Sequence, residues 1–100
     1  MDVRQTQTFA DWLKRLADLE ARARVQMRLD RVGRGLFGDV KSVGGGVSEM
    51  RIDHGPGYRL YFTRRGTTTV LLLVGGDKRY QSRDIAAAQA MATELVEDWR

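Results

Sequence analysis

Hydrophobic and polar positions change period twice along this 100-residue chain, and those changes divide it into elements. Near the start, Val3 to Gln7 is a candidate short edge strand. Phe9, Trp12, Leu13 and Leu16 then fall at i, i+3, i+4 and i+7, one face of a helix. Thr8 is its expected N-cap, with Asp11 in the capping-box position, and the helix should end near Asp18. Ala21, Val25, Leu29 and Val32 carry the same spacing through a second helix, from Leu19 to about Val32, stopped by Gly33 and Gly35. Together these two predict a helical hairpin.

Between Gly33 and Gly46 no period holds, and the stretch carries six of the chain's 11 glycines. It reads as a loop with turns, anchored by Leu36, Phe37, Val40 and Val43. From Val47 the period is two. Met50 and Ile52 point one way while Glu49, Arg51 and Asp53 point the other. After the turn "HGPG", Tyr58, Leu60 and Phe62 alternate with Arg59, Tyr61 and Thr63. A second turn at Arg65 to Thr67 leads into "TTVLLLV", apolar on both faces as a central strand is. The last segment, Ser82 to Trp99, returns to helical spacing through Ile85, Ala88, Met91, Ala92, Leu95 and Trp99, with Ser82 or Asp84 as cap. The expected fold is α+β: two N-terminal helices packed on one face of an antiparallel β-sheet meander, then a C-terminal helix, in a single domain over residues 1–100. Trp12 and Leu72 are expected in its core.

Composition narrows the chemistry. The chain has no cysteine, which excludes a disulfide framework and a thiolate metal site, and its one histidine, His54, argues against a His-rich zinc site. The longest aliphatic run, Val70 to Val74, is far too short to span a bilayer, and the N-terminus has no signal-peptide pattern. A cytoplasmic protein with no membrane association, metal or cofactor is the expectation. Net charge is +4 and the pI is about 10.0, which suits a polyanion or an acidic partner.

Register sharpens that reading. With the turn at Asp53 to Gly57, Ile52 pairs with Tyr58 and Arg51 lies opposite Arg59. Like charges opposed across strands destabilise a sheet, and an anion between them would compensate. Lys78, Arg79 and Tyr80 follow the central strand. Arg51, Arg59, Lys78 and Arg79 are therefore expected in one concave basic patch beside Tyr61 and Tyr80, residue types suited to RNA phosphates and unstacked bases. Gly75 and Gly76 are assigned to a sharp exit from the strand, since no G-x-x-x-x-G-K-[ST] or G-x-G-x-x-G pattern is present. A second basic stripe, Arg22, Arg24, Arg28, Arg31 and Arg34, runs along the second helix and fits a solvated face, an RNA backbone or an acidic partner.

The segments "FADWLKRLADLEARARVQMRLDRV", "FGDVKSVGGGVSEMRIDHGPGYRLYF" and "LLLVGGDKRYQSRDIAAAQ" resemble the HigB-like, addiction-module killer branch of the RelE/ParE toxin superfamily, over about residues 4 to 97. The resemblance implies a RelE-like fold and a type II toxin with a cognate antitoxin, usually a helix-turn-helix DNA-binding protein, so that operator DNA is met only through the complex. It also implies a ribosome-dependent endoribonuclease that cuts mRNA without metal, by attack of a ribose 2′-OH on the adjacent phosphate. Arg59 in "GYRLYF" then matches the strand arginine that stabilises the transition state. Lys78 and Arg79 in "GGDKR" match the cationic segment after the core strand, and Arg51 a basic position on the preceding strand. These make Arg59, Lys78 and Arg51 the catalytic candidates and Arg79, Tyr80 and Tyr61 the RNA-binding ones. Two alternatives stand beside it: a non-catalytic ParE-like inhibitor of DNA gyrase, and an RNA- or antitoxin-binding module without nuclease activity.

Overall fold

A computed structural model of the protein describes residues 1–98, with side chains through Glu94. The order is β1 (Asp2–Gln5), α1 (Gln7–Arg15), α2 (Leu19–Gly33), β2 (Val40–Gly44), β3 (Val47–Ile52), β4 (Tyr58–Arg65), β5 (Thr69–Asp77), a single 3-10 turn (Lys78–Tyr80) and α3 (Gln81–Asp98). The class is α+β, as expected, but the sheet is larger than a three-stranded meander. It has five strands in the order β1-β5-β4-β3-β2, and it is mixed, because β1 runs parallel to β5. No described helix is long and apolar enough to cross a membrane.

Each face of the sheet holds its own core. Phe9 from α1 and Ala21, Val25, Leu29 and Val32 from α2 cover Met50, Ile52, Tyr58, Leu60, Phe62, Val70 and Leu72. On the opposite face, Ala88 and Ala92 of α3 cover Val47, Tyr61, Leu71, Leu73 and Val74. Ile85 and Met91 pack at the margin of that second core, whereas the side chain of Leu95 and the whole of Trp99 lie outside the described residues. The face that alternation made polar on β3 and β4 is thus covered by a helix.

A bulge in β5 lets the strand serve both cores. Tyr61 pairs with Val74 and Phe62 with Leu72, leaving Leu73 without a partner on β4. The extra residue brings Leu71, Leu73 and Val74 together under α3. Thr6 ties the bulge to α1: its hydroxyl donates to the Leu73 carbonyl at 2.7 Å and accepts from the Phe9 amide at 3.0 Å. The N-cap is therefore Thr6, two residues before the expected Thr8, because the same hydroxyl serves the helix and the bulge.

Three further expectations change. The glycine-rich stretch before β3 contains a strand, β2, an edge strand with mostly exposed side chains whose sequence carries no alternation. Of the residues expected to anchor that stretch, Phe37 does so by stacking on Phe62 at 5.8 Å, while Leu36 is exposed. Gly75 and Gly76 lie inside β5 rather than at an exit from it. Their role is steric. A Cβ at Gly75 would run into the Trp12 indole, and one at Gly76 into the Asp84 carboxylate. Trp12, partly buried, also contacts Phe9 and Tyr58, with ring centroids 5.6 and 6.2 Å away.

Two substitutions test this packing. Leu72→Ala should cost about 2–5 kcal/mol, the usual range for truncating a buried leucine. Gly75→Ala should cost about 1–3 kcal/mol through overpacking against Trp12. Urea denaturation measures both, and a Gly75→Ala protein as stable as the parent would place the indole elsewhere.

Candidate functional site

The β3–β4 hairpin builds the floor of a cleft. Its register is the expected one, with Ile52 opposite Tyr58 and Arg51 opposite Arg59. Gly57, at a φ of +81°, turns the chain into β4, a conformation that glycine adopts without steric cost. Its carbonyl accepts a hydrogen bond from Arg59 Nη1 at 2.8 Å. His54 pins the turn from the other side. Its Nε2 lies 3.0 Å from Asp18 Oδ2, while Asp18 Oδ1 accepts from the Ala21 amide at 3.1 Å and caps α2. The Ala21 amide, then His54, hold the Asp18 carboxyl below the usual carboxylate range. His54 is a staple between hairpin and helix.

The cleft, about 620 Å³, is lined by Arg28, Asp39, Arg51, Ile52, Asp53, the turn Gly55 to Gly57, Arg59 and Lys78. Four cations face two carboxylates there, so the cleft is net positive. Arg28 belongs to the helical arginine stripe, yet it is not a solvated charge. Its guanidinium donates to the carbonyls of Arg51 at 2.6 Å and Phe37 at 3.2 Å, joining α2 to β3. Burial draws its pKa down.

Arg51, Arg59 and Lys78 thus meet in one cleft, as the sequence suggested, but in different states. Arg51 is half exposed and ion-paired through Nε to Glu49 Oε1 at 2.9 Å. Lys78 is exposed at the rim. Arg59, expected off the core face in a basic patch, is only 7% exposed, and its Nε has no hydrogen-bond partner among the described residues. An unpaired buried guanidinium N–H is costly, and this one is sealed from solvent, so Arg59 meets the cleft only through the rest of its side chain.

The remaining three candidates do not line the cleft. Arg79 folds back on Asp77, with Nη2 at 2.9 Å from Oδ2, and Asp77 also caps the 3-10 turn through the Arg79 amide. Tyr80 is exposed but already stacked beneath two guanidinium groups, Arg83 at 4.2 Å and Arg79 at 5.4 Å. Tyr61 is fully buried under α3, so its ring is unavailable for stacking on a base. Burial, then the nearby Glu49 and Asp84 carboxylates, push its pKa far above that of a free phenol. Its hydroxyl makes no hydrogen bond among the described residues.

Three polar residues to which the sequence assigned no role at the site organise this region. Glu49 is buried; Arg51 and Gln81 both donate to it, Gln81 Nε2 at 2.7 Å from Oε2. Burial works to raise its pKa, but the hydrogen bonds from Arg51 and Gln81 outweigh that and hold it low. Asp84, buried against Gly76, is pushed up by the same loss of solvent. Period-two alternation marked Glu49 only as off the core face, and nothing in the chain marked Gln81 as its partner. No group of three or more His, Asp or Glu side chains that could hold a metal gathers among the described residues.

No protein-family profile matches the chain. It is 44% identical over 95 residues to an uncharacterized protein of Haemophilus influenzae, a match that covers 95% of this chain and 96% of that protein. The chain belongs to that protein's family. A match of this extent spans every element lining the cleft, but the relative's designation carries no activity with it.

Two measurements follow from these side chains. Tyr61→Phe removes a buried hydroxyl that lacks a partner, so it should leave the protein as stable or raise stability by roughly 1 kcal/mol, read by thermal melting. Glu49 ionises more readily in the folded protein than unfolded. Its stabilisation is therefore complete above the unfolded value near 4.5 and is lost as pH falls through the lower folded value. The stability gap between wild type and Glu49→Gln should be widest near neutrality, about pH 7, and close at acid pH; a gap that widens on acidification would contradict the assignment.

Proposed function

We propose that this protein is a RelE-like toxin of a type II toxin–antitoxin pair, of the HigB-like group, which binds RNA in the Arg51–Arg59–Lys78 cleft and cleaves mRNA on the ribosome in the cytoplasm. The observation that carries this reading is the convergence of Arg59, at the cleft floor, with three further cations, Arg28, Arg51 and Lys78, on the same cleft. Motif resemblance supports it over about residues 4 to 97.

In-line cleavage needs little covalent chemistry from the protein. The 2′-OH gives its proton to water as its oxygen attacks the adjacent phosphorus, the bond from phosphorus to the 5′ oxygen breaks and that oxygen takes a proton, and a 2′,3′-cyclic phosphate remains. Negative charge accumulates on the phosphate oxygens in between, and preorganised donors in a partly dry cleft stabilise it. Arg59 is the preorganised donor, fixed by the Gly57 carbonyl. Arg51 supplies a second guanidinium, and Lys78 at the rim, as an ammonium, would protonate the leaving 5′ oxygen. A cognate antitoxin, a helix-turn-helix protein on operator DNA, completes the reading.

Because Arg59 is buried, its truncation would disturb the fold along with the chemistry. Lys78, exposed at the rim, is the cleaner probe. Induction in a bacterial host, followed within minutes by mapping of mRNA 5′ ends, should show new ends inside translated codons. Lys78→Ala should reduce them by roughly a hundredfold, the scale for losing one charge-stabilising donor, without change in thermal stability, whereas Arg51→Ala should reduce them as far and also lower thermal stability, because it strips a partner from buried Glu49. Growth arrest with DNA damage and no new ends would instead support inhibition of DNA gyrase.

A further inference from the structure

We propose that Glu49 is a positioning residue: its buried carboxylate clamps the two cationic walls of the cleft together, so that an anionic ligand binds better because of this negative charge. The ligand is the RNA of the preceding reading, on which this inference rests.

Both oxygens of Glu49 are in use, and they reach opposite walls. Oε1 takes the Arg51 Nε–H from β3, and Oε2 takes the side-chain amide of Gln81, 32 positions further along the chain. Bonding through Nε fixes the plane of the Arg51 guanidinium and leaves its two terminal nitrogens without partners among the described residues. Those are the donors that grip a phosphate end-on. Gln81 opens α3, directly after the 3-10 turn that carries Lys78. Asp77 pins the near end of that turn through the Arg79 amide at 2.9 Å, and Glu49 pins the far end. Lys78 therefore projects from a segment held on both sides, at a spacing from Arg51 that one carboxylate sets.

Coulomb's law alone argues the opposite effect. A carboxylate close to an anion site repels the ligand, and its removal should tighten binding. A buried charge is also expensive to maintain without partners. Orientation reverses the expected sign: losing the clamp frees the Arg51 side chain and loosens the Lys78 turn, and ordering both again weakens binding. The two accounts differ in direction, which makes them separable.

The test is binding of a fluorescein-labelled ten-nucleotide oligouridine by anisotropy across a salt series, for wild type, Glu49→Gln, Arg51→Ala and the double variant. Glu49→Gln should weaken binding by about tenfold, the scale of a lost charge-assisted hydrogen bond. It should also flatten the dependence of log K on log salt by about 0.7, one phosphate contact to a single strand. In the Arg51→Ala background the same change should cost distinctly less. Equal or tighter binding by Glu49→Gln overturns the proposal. NMR judges the clamp independently of RNA. The Arg51 Nε–H resonance should exchange slowly in wild type and fast in Glu49→Gln, and its persistence in the variant overturns the clamp. Should Glu49→Gln fail to fold, Gln81→Ala carries the test. It should speed exchange at the Lys78 and Arg79 amides by about tenfold while the Arg51 signal is kept, and unchanged exchange there overturns the proposal. Wild-type protein that ignores oligouridine at low salt removes the RNA reading, and the NMR result still decides the clamp.

Discussion

Two adjacent glycines in the interior strand β5 take packing from opposite sides of the sheet. At Gly75 the Trp12 indole of α1 lies directly on the backbone, and at Gly76 the Asp84 carboxylate of α3 does the same from the other face. A side chain at either position would lift one helical layer away from β5. Close approach of both layers is what allows a domain of this size to bury apolar residues on both sides of one sheet. The bulge at Leu73, held by Thr6, adjusts the alternation of β5 so that the glycines arrive at the positions where those side chains need room.

Covering the second face has an electrostatic consequence. β3 and β4 present Glu49, Arg51, Arg59 and Tyr61 to the side that α3 closes, and burying such groups is unfavourable unless they are partnered. The structure meets this in three ways. Glu49 receives two hydrogen bonds, Arg59 donates to the Gly57 carbonyl, and Arg51 remains half in solvent while paired to Glu49. Arg59 Nε and the Tyr61 hydroxyl stay unpartnered. Of these two residues only the arginine also lines the cleft, through other atoms of its side chain.

Where α3 begins, the cover ends and the cleft opens. Its walls come from a hairpin stapled to α2 by His54 and Arg28, and from the turn that leads into α3. Cations drawn from β3, β4 and that turn are thereby fixed relative to one another before any ligand arrives. Such preorganisation is what an oxyanion site needs, since it removes reorganisation at the moment charge develops.

Local periodicity was enough to read the two N-terminal helices, strands β3 to β5, the third helix and the Arg51–Arg59 register, because each rests on alternation or helical spacing within a few residues. It also brought Arg51, Arg59 and Lys78 together, since the hairpin register and the strand end place them without long-range information. Other features needed the tertiary structure. β1 was legible as a short edge strand but its parallel pairing with β5 was not, and β2, with little apolar patterning of its own, forms because β3 supplies the hydrogen bonds. Whether the polar face of β3 and β4 meets water or a helix depends on where α3 docks. That docking decided that Tyr61 is buried, that Arg59 is enclosed and that Glu49 finds Gln81 across 32 residues. Alternation states which side of a sheet a residue occupies, whereas burial and charge pairing are set by what packs against that side.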